Sequence, residues 1–330
     1  MAFGAVGTGL QAPPVQLVGT MNAITQKFIV PQIGDTIFKP SPAFWAMTKK
    51  GMRQQGGELV YAEITQEEMT GGAYFGDQLL NTAVVDSIQP ATQVWRSYYQ
   101  STSIPTLDII LNRGQAGILP LVKTKFQVAC GSLLQKLSRA LWHATPQNTA
   151  NDIDDIVAWA QTTNNVIAGI DRSVAANSFW LPGPAVANGG TPLTVANAEK
   201  LYQGVVFGYD EPDIFLIDGT TAGVFSAFKN QFLGLIRFTG EDQDNEALQA
   251  GFRYHFMFNN AVCMPDRFLP ANTGFLLNTK YILPMFHIDD YFTVEPFVKP
   301  SNQRVVVAQI FLTWELINQS PRMSAVVTAI

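Results

Sequence analysis

Residues Gly117-Ile-Leu-Pro-Leu-Val-Lys-Thr-Lys-Phe-Gln-Val-Ala-Cys-Gly-Ser-Leu-Leu-Gln-Lys-Leu-Ser-Arg-Ala-Leu-Trp-His-Ala144 carry the strongest periodic signal in the chain. Leu119, Val122, Phe126, Cys130, Leu133, Leu137 and Leu141 recur at spacings of three and four, with Val128, Leu134 and Trp142 flanking them. That is the repeat of one helix face. The other side carries Lys123, Lys125, Lys136 and Arg139, and from Arg113 to Asn151 there is no Asp or Glu. A helix of about 25 residues is about 37 Å long, which is long for a globular domain and suits a spine. Pro146 follows its expected end.

Upstream the texture changes. In residues 1–52, Pro13-Pro14, Pro31, Pro40 and Pro42 oppose long helices. Phe28, Ile29, Val30, Ile37, Phe38, Phe44 and Trp45 are nonetheless too apolar for a free tail. Such a segment should lie along a surface that buries these anchors. In residues 53–107, Glu58-Leu-Val-Tyr-Ala-Glu-Ile64 and Val94-Trp-Arg-Ser-Tyr-Tyr-Gln100 read as strands around an aromatic tip, Gly71-Gly-Ala-Tyr-Phe-Gly76. A long two-stranded excursion is marginal alone in water and must dock on something.

Downstream, Asp152, Asp154 and Asp155 open a second helix. Residues 180–192 read as a Pro/Gly-rich loop, and Thr194 as the cap of a helix running to Phe207. Asp213-Ile-Phe-Leu-Ile217 is a buried strand, followed by a helix capped by Thr220 or Thr221 and reaching about Phe232. Strands in 252–264 and 273–283 complete a lobe of α/β or α+β type. Its acidic stretch Gly240-Glu-Asp-Gln-Asp-Asn-Glu246 is a loop. Tyr291–Phe297 and Arg304–Ile317 flank the turn Lys299-Pro-Ser-Asn302, and the apolar end Ala325–Ile330 should be docked. The fold class is α+β.

Composition narrows the function classes. Of 330 residues 47 % are hydrophobic and 14 % charged, so a sizeable core is available and the surface is poor in charge. Disorder is excluded, and burial against other subunits is favoured over a free monomer. Twenty-one Lys+Arg against 26 Asp+Glu give a net charge of −5, which disfavours a dedicated nucleic-acid binder. Cys130 and Cys263 form no CxxC pair, so neither a zinc framework nor a disulfide scaffold is expected, and a reducing compartment is the simple reading. The first cation is Lys27, so no signal peptide is read, and no run approaches the about 20 apolar residues of a membrane span.

The sequence lacks GxxxxGK[ST], GxGxxG opening a helix, GxSxG and HExxH. His143, His255 and His287 stand in separate contexts, and Cys130 lies on the apolar helix face. Asp152, Asp154 and Asp155 read as helix capping, with a divalent-ion site as the alternative. Glu241, Asp242, Asp244 and Glu246 lack EF-hand spacing and read as a solvated loop. His287-Ile-Asp289-Asp290 is the other metal alternative. The cationic side of the spine helix reads either as a solvated face or as a surface making sequence-independent phosphate contacts. No catalytic, cofactor-binding or metal residue is assigned, and no cofactor.

The order of arm, β-excursion, spine helix, α/β lobe and returning β-hairpin resembles the major capsid proteins of tailed bacteriophages, with the shell fold of phage Hong Kong 97. Besides the helix at 117–144, the resemblance rests on Pro212-Asp-Ile-Phe-Leu-Ile-Asp218, Gly251-Phe-Arg-Tyr254, Cys263-Met-Pro-Asp266, Gly274-Phe-Leu-Leu-Asn278, Asn302-Gln303 through Trp314, and Pro321-Arg322. It implies an N-terminal arm (1–52), an E-loop (53–107), a peripheral domain with the spine helix (108–159 and 291–330) and an axial α/β domain (160–290). It further implies hexamers and pentamers in an icosahedral virion shell around double-stranded DNA, assembled in the host cytoplasm, with no enzyme activity. A separate scaffolding protein, a portal and a decoration protein are the expected partners. Some relatives cross-link through an E-loop lysine, and no Lys lies between Lys50 and Lys123, so a non-covalent shell is expected. An encapsulin-like nanocompartment shell, another virion component such as a tail or baseplate protein, and an α/β enzyme with its site in 195–290 are the competing readings.

Overall fold

Apolar residues three and four apart make one long helix, and short continuous apolar runs such as Ile214–Ile217 make buried strands. In the computed structural model, the residues described are 42–48, 52–54, 57, 59–65, 71–80, 88–111, 115–142, 151–160, 166–221, 223–233 and 255–330. The arm up to residue 41, His143, the acidic stretch 240–246 and Gly251–Tyr254 lie outside them. Among the described residues the helices are Pro42–Thr48 (α1), Thr106–Leu111 (α2), Gln115–Leu141 (α3), Ile156–Ala160 (α4), Val195–Val205 (α5) and Val224–Leu233 (α6). The strands are Met52–Gln54 (β1), Leu59–Thr65 (β2), Ile88–Val94 (β3), Arg96–Pro105 (β4), Val166–Ile167 (β5), Ile170–Asp171 (β6), Ala185–Ala187 (β7), Ile214–Asp218 (β8), Phe256–Phe258 (β9), Ala261–Asp266 (β10), Thr273–Leu277 (β11), Ile282–Val294 (β12), Val305–Asn318 (β13) and Ala325–Thr328 (β14).

The spine reading holds as α3. Val122, Phe126, Cys130, Leu133, Leu137 and Leu141 are all buried, while Val128 is exposed. Burial of a Val, Leu or Phe side chain contributes about 1.5–3 kcal/mol, so this stripe fixes the helix in place. A four-stranded sheet has the order β1-β12-β13-β4 and a six-stranded one the order β7-β14-β11-β8-β10-β9. β2 pairs with β3, and β5 with β6, as separate two-stranded ladders.

The described residues pack as two units. One takes Tyr99–Leu133 and Phe292–Leu312. There Phe126 meets Phe297 edge to face at 5.8 Å, and the Thr106 N–H and hydroxyl both donate to the Arg304 carbonyl, at 3.0 and 2.8 Å. Between Lys299 and Asn302 the expected turn is present, closed by reciprocal backbone bonds of Val298 and Val307 at 2.8 and 2.9 Å.

The second unit comprises Phe38–Tyr98, Leu134–Tyr291 and Thr313–Ile330. It contains the six-stranded sheet, with α5 and α6 covering one core. Leu201, Phe215, Ile217, Phe225, Phe228, Phe256, Phe258, Cys263 and Leu276 are buried together there. The chain end is docked: β14 pairs antiparallel with β11 and parallel with β7. Gly183 permits this. A Cβ there would lie 2.5 Å from the Ser324 carbonyl oxygen and 2.7 Å from that of Arg322. Phe44, on α1, is buried with its ring 5.5 Å from that of Trp314.

Local expectations change: the 180–192 loop contains β7, and β12 runs as one strand from Ile282 to Val294 where strands at 273–283 and 291–297 are expected. The second arm of the excursion is not 94–100: β2 pairs with β3 from Leu59↔Val94 to Thr65↔Ile88, and the chain breaks at Trp95 before β4 joins the four-stranded sheet. Trp95 explains the break, since its indole N–H donates to the Gly57 carbonyl at 3.0 Å and its ring packs on Leu283, Met285 and Ile317. Thr220 and Thr221 lie upstream of the α6 cap position, because Thr220 gives its N–H and hydroxyl to the buried Asp218 carboxylate at 2.7 and 2.6 Å. α5 ends at Val205, two residues early, while Thr194 does cap it by accepting the Asn197 N–H at 3.3 Å.

Candidate assembly surface

Ten residues at the far end of the β2–β3 hairpin, Gly71-Gly-Ala-Tyr-Phe-Gly-Asp-Gln-Leu-Leu80, are exposed throughout. Phe75 is 88 % exposed and Leu79 fully so, with Tyr74 and Leu80 also outward. Asp77 is the only charge among them. The segment turns at Gly76, whose φ of +65° an L side chain rarely adopts. Burying four such side chains would contribute on the order of 10 kcal/mol, and among the described residues nothing covers them.

A second apolar surface lies on α2. Ile109 faces the core, whereas Leu107, Ile110 and Leu111 are exposed. A turn of helix with most of its large aliphatics in water is amphipathic the wrong way round for a monomer. The sequence reading missed it because six residues are too few to show a period.

The acidic trio does not converge. The Asp155 carboxylate accepts the Ala158 N–H at 2.6 Å and caps α4. Asp152 accepts the Tyr98 hydroxyl at 3.2 Å, and Asp154 accepts the side-chain amide of Gln93. Of the three, only Asp155 fits the capping reading; the other two hold neighbouring strands. The His287 ring accepts the Asp289 N–H at 3.3 Å, while Asp290 is bonded to the Thr313 hydroxyl. Among the described residues no group of three or more His, Cys, Asp or Glu side chains is placed to hold a metal.

Cys130 and Cys263 are buried free thiols; burial pushes Cys130 up to about 11 and Cys263 well above the usual thiol value. At neutral pH neither is a thiolate nucleophile. On α3, Lys123 is exposed and Lys125, Lys136 and Arg139 are half-buried. Among the described residues no helix is long and apolar enough to cross a membrane.

One titratable group escaped the sequence reading. Glu315 sits on β13 within Phe311-Leu-Thr-Trp-Glu-Leu-Ile317 and is 1 % exposed. Its Oε1 accepts the Leu316 N–H at 2.9 Å and the Asp154 N–H at 3.2 Å. Burial above all, aided by the nearby Asp154 charge, raises it to about 8. A carboxyl inside an apolar strand run is the signal that would have found it.

No protein-family model matches the chain, and no curated protein does. Solved structures do. The cyanophage A-1(L) capsid asymmetric unit is similar at a TM-score of 0.67 and 15 % identity, over 89 % of this chain and 94 % of that one. The capsid of a native GTA particle is similar at 0.59 and 10 % identity, over 86 % and 89 %. The holo-SrpI encapsulin of Synechococcus elongatus is similar at 0.53 and 10 % identity, over 88 % of each chain. The fold is therefore the phage capsid shell fold, as the order of elements around α3 implies.

Proposed function

We propose that this chain is the major capsid protein of a tailed bacteriophage, assembling into pentamers and hexamers of an icosahedral shell around double-stranded DNA. The observation that carries the reading is the apolar tip at 71–80, in the connection between the paired strands β2 and β3 and exposed throughout. Such a tip gains free energy only on a neighbour. A closed shell repeats that contact many times, so each can be modest.

In this reading 1–52 is the arm, 53–107 the E-loop, 108–159 with 291–330 the peripheral domain and 160–290 the axial domain. The protein is structural, not catalytic. Its partners are its own copies, a scaffolding protein, a portal and a decoration protein. Lys123, Lys125, Lys136 and Arg139 supply weak contact with packaged phosphates. An encapsulin-like compartment is the second reading, favoured by the likeness to the SrpI shell.

Negative-stain microscopy of the purified chain, expressed with its scaffold, is expected to show closed shells. Small oligomers or tubes would overturn the reading. Nuclease-protected DNA inside native particles selects the virus, and protein cargo selects the compartment. On a denaturing gel, intact particles are expected to give one monomer band, since no Lys lies between Lys50 and Lys123. A ladder would refute non-covalent closure.

A further inference from the structure

Residues 152–160 share hydrogen bonds with side chains in distant parts of the sequence as well as with one another. The Tyr98 hydroxyl on β4 donates to Asp152 at 3.2 Å and accepts the Ile153 N–H at 3.1 Å. Gln93 on β3 bonds the Asp154 carboxylate, and Glu315 on β13 takes the Asp154 N–H at 3.2 Å. Arg172 reaches the Ala158 and Trp159 carbonyls, both at 3.1 Å, at the end of α4. Glu315 is the most deeply buried side chain of this set, and its carboxyl ties β13 to the segment close to Asp154.

We propose that Glu315 and the Asp152–Asp155 segment form a proton-operated latch, tight while the Glu315 carboxyl is neutral and loosening as pH rises. Burial, the largest effect, and the Asp154 charge oppose ionisation of Glu315, while the Leu316 and Asp154 N–H groups that its Oε1 accepts, and Arg96 on β4, favour it. Tyr98 also faces it, and burial pushes its phenol up, so it stays neutral across the useful range. Arg172, drawn down by burial to about 10, lies near Asp154 and remains charged.

The sign follows from proton counting. In the closed latch Glu315 keeps its proton to about 8, whereas an opened, hydrated Glu loses it near 4.5. Between these values the closed form binds one more proton. Opening therefore becomes easier with rising pH, by up to about tenfold per unit, and levels off above the upper value. Nothing in this depends on whether the chain builds a shell.

Hydrogen exchange on the full chain, corrected for intrinsic rate, reads the Ile153 and Asp154 amides. Their protection is expected to fall up to tenfold per pH unit from pH 5 to 8 and then flatten. In Glu315→Gln it is expected to be independent of pH; a retained fall overturns the latch. If Glu315→Gln does not fold, Asp154→Asn decides. Removing the neighbouring charge should move the flattening to lower pH, and an unmoved profile overturns the proposal.

Discussion

The tip at 71–80 and the lobe built on the six-stranded sheet use the same residue types for opposite ends. Phe75 is 88 % exposed, whereas Phe215 is 1 % exposed, with the Phe228 ring 5.7 Å away, edge to face. In the lobe each aromatic finds partners from β8, β9 and α6 within one chain, so its burial is settled on folding. In the tip Tyr74, Phe75, Leu79 and Leu80 carry comparable apolar surface, and among the described residues no element covers it. The chain thus separates the residues that make it fold from the residues left for another surface. Substitutions in the two regions should separate in the same way.

The largest expected effect on the folded chain is Phe215→Ala. It removes a ring packed against Phe228 and Phe258 and is expected to cost about 3–5 kcal/mol, read by denaturant unfolding of the unassembled protein. A loss under 1 kcal/mol would mean that the lobe core is not what holds the chain. Gly183→Ala should come next, at about 1–3 kcal/mol. Its methyl would press on the Arg322 and Ser324 carbonyls and push the β14 end away from β7. Protease sensitivity of the C-terminal strand is the readout, and an unchanged digestion rate would show that this approach has slack.

The ease of reading differed between the regions for physical reasons. α3 was legible because its apolar stripe repeats through the whole helix. β13 was legible because Val305-Val-Val-Ala-Gln-Ile-Phe-Leu312 is a strand-like apolar run, although its alternating and then complete burial shows only in the fold. The docked end 325–330 was legible because it is apolar and β-branched. The excursion was half legible. Its strands and tip follow from composition, but the break at Trp95 depends on an indole N–H reaching Gly57, thirty-eight positions away. Asp152 and Asp154 misled for the same reason: a local rule assigns them to α4, while Tyr98 and Gln93 claim them across the fold. Long-range polar partners leave no period in a sequence.

The smallest expected effect on the single chain belongs to Phe75→Ser. An exposed residue with no partner to lose shifts stability by no more than about 0.5 kcal/mol. In the free chain the change should even improve solubility, because apolar area in contact with water falls. Assembly should respond in the opposite sense. If the tip is buried on a neighbour, each copy loses about 1.5–3 kcal/mol of burial, and the loss is repeated at every equivalent contact of the shell. The expected result is a melting profile like that of the parent chain together with a raised critical concentration for particles, measured by light scattering. Leu79→Ser should behave alike. Normal particle yield from the double variant would show that the tip is exposed in the assembly too, and the burden of holding copies together would pass to the Leu107, Ile110 and Leu111 face of α2.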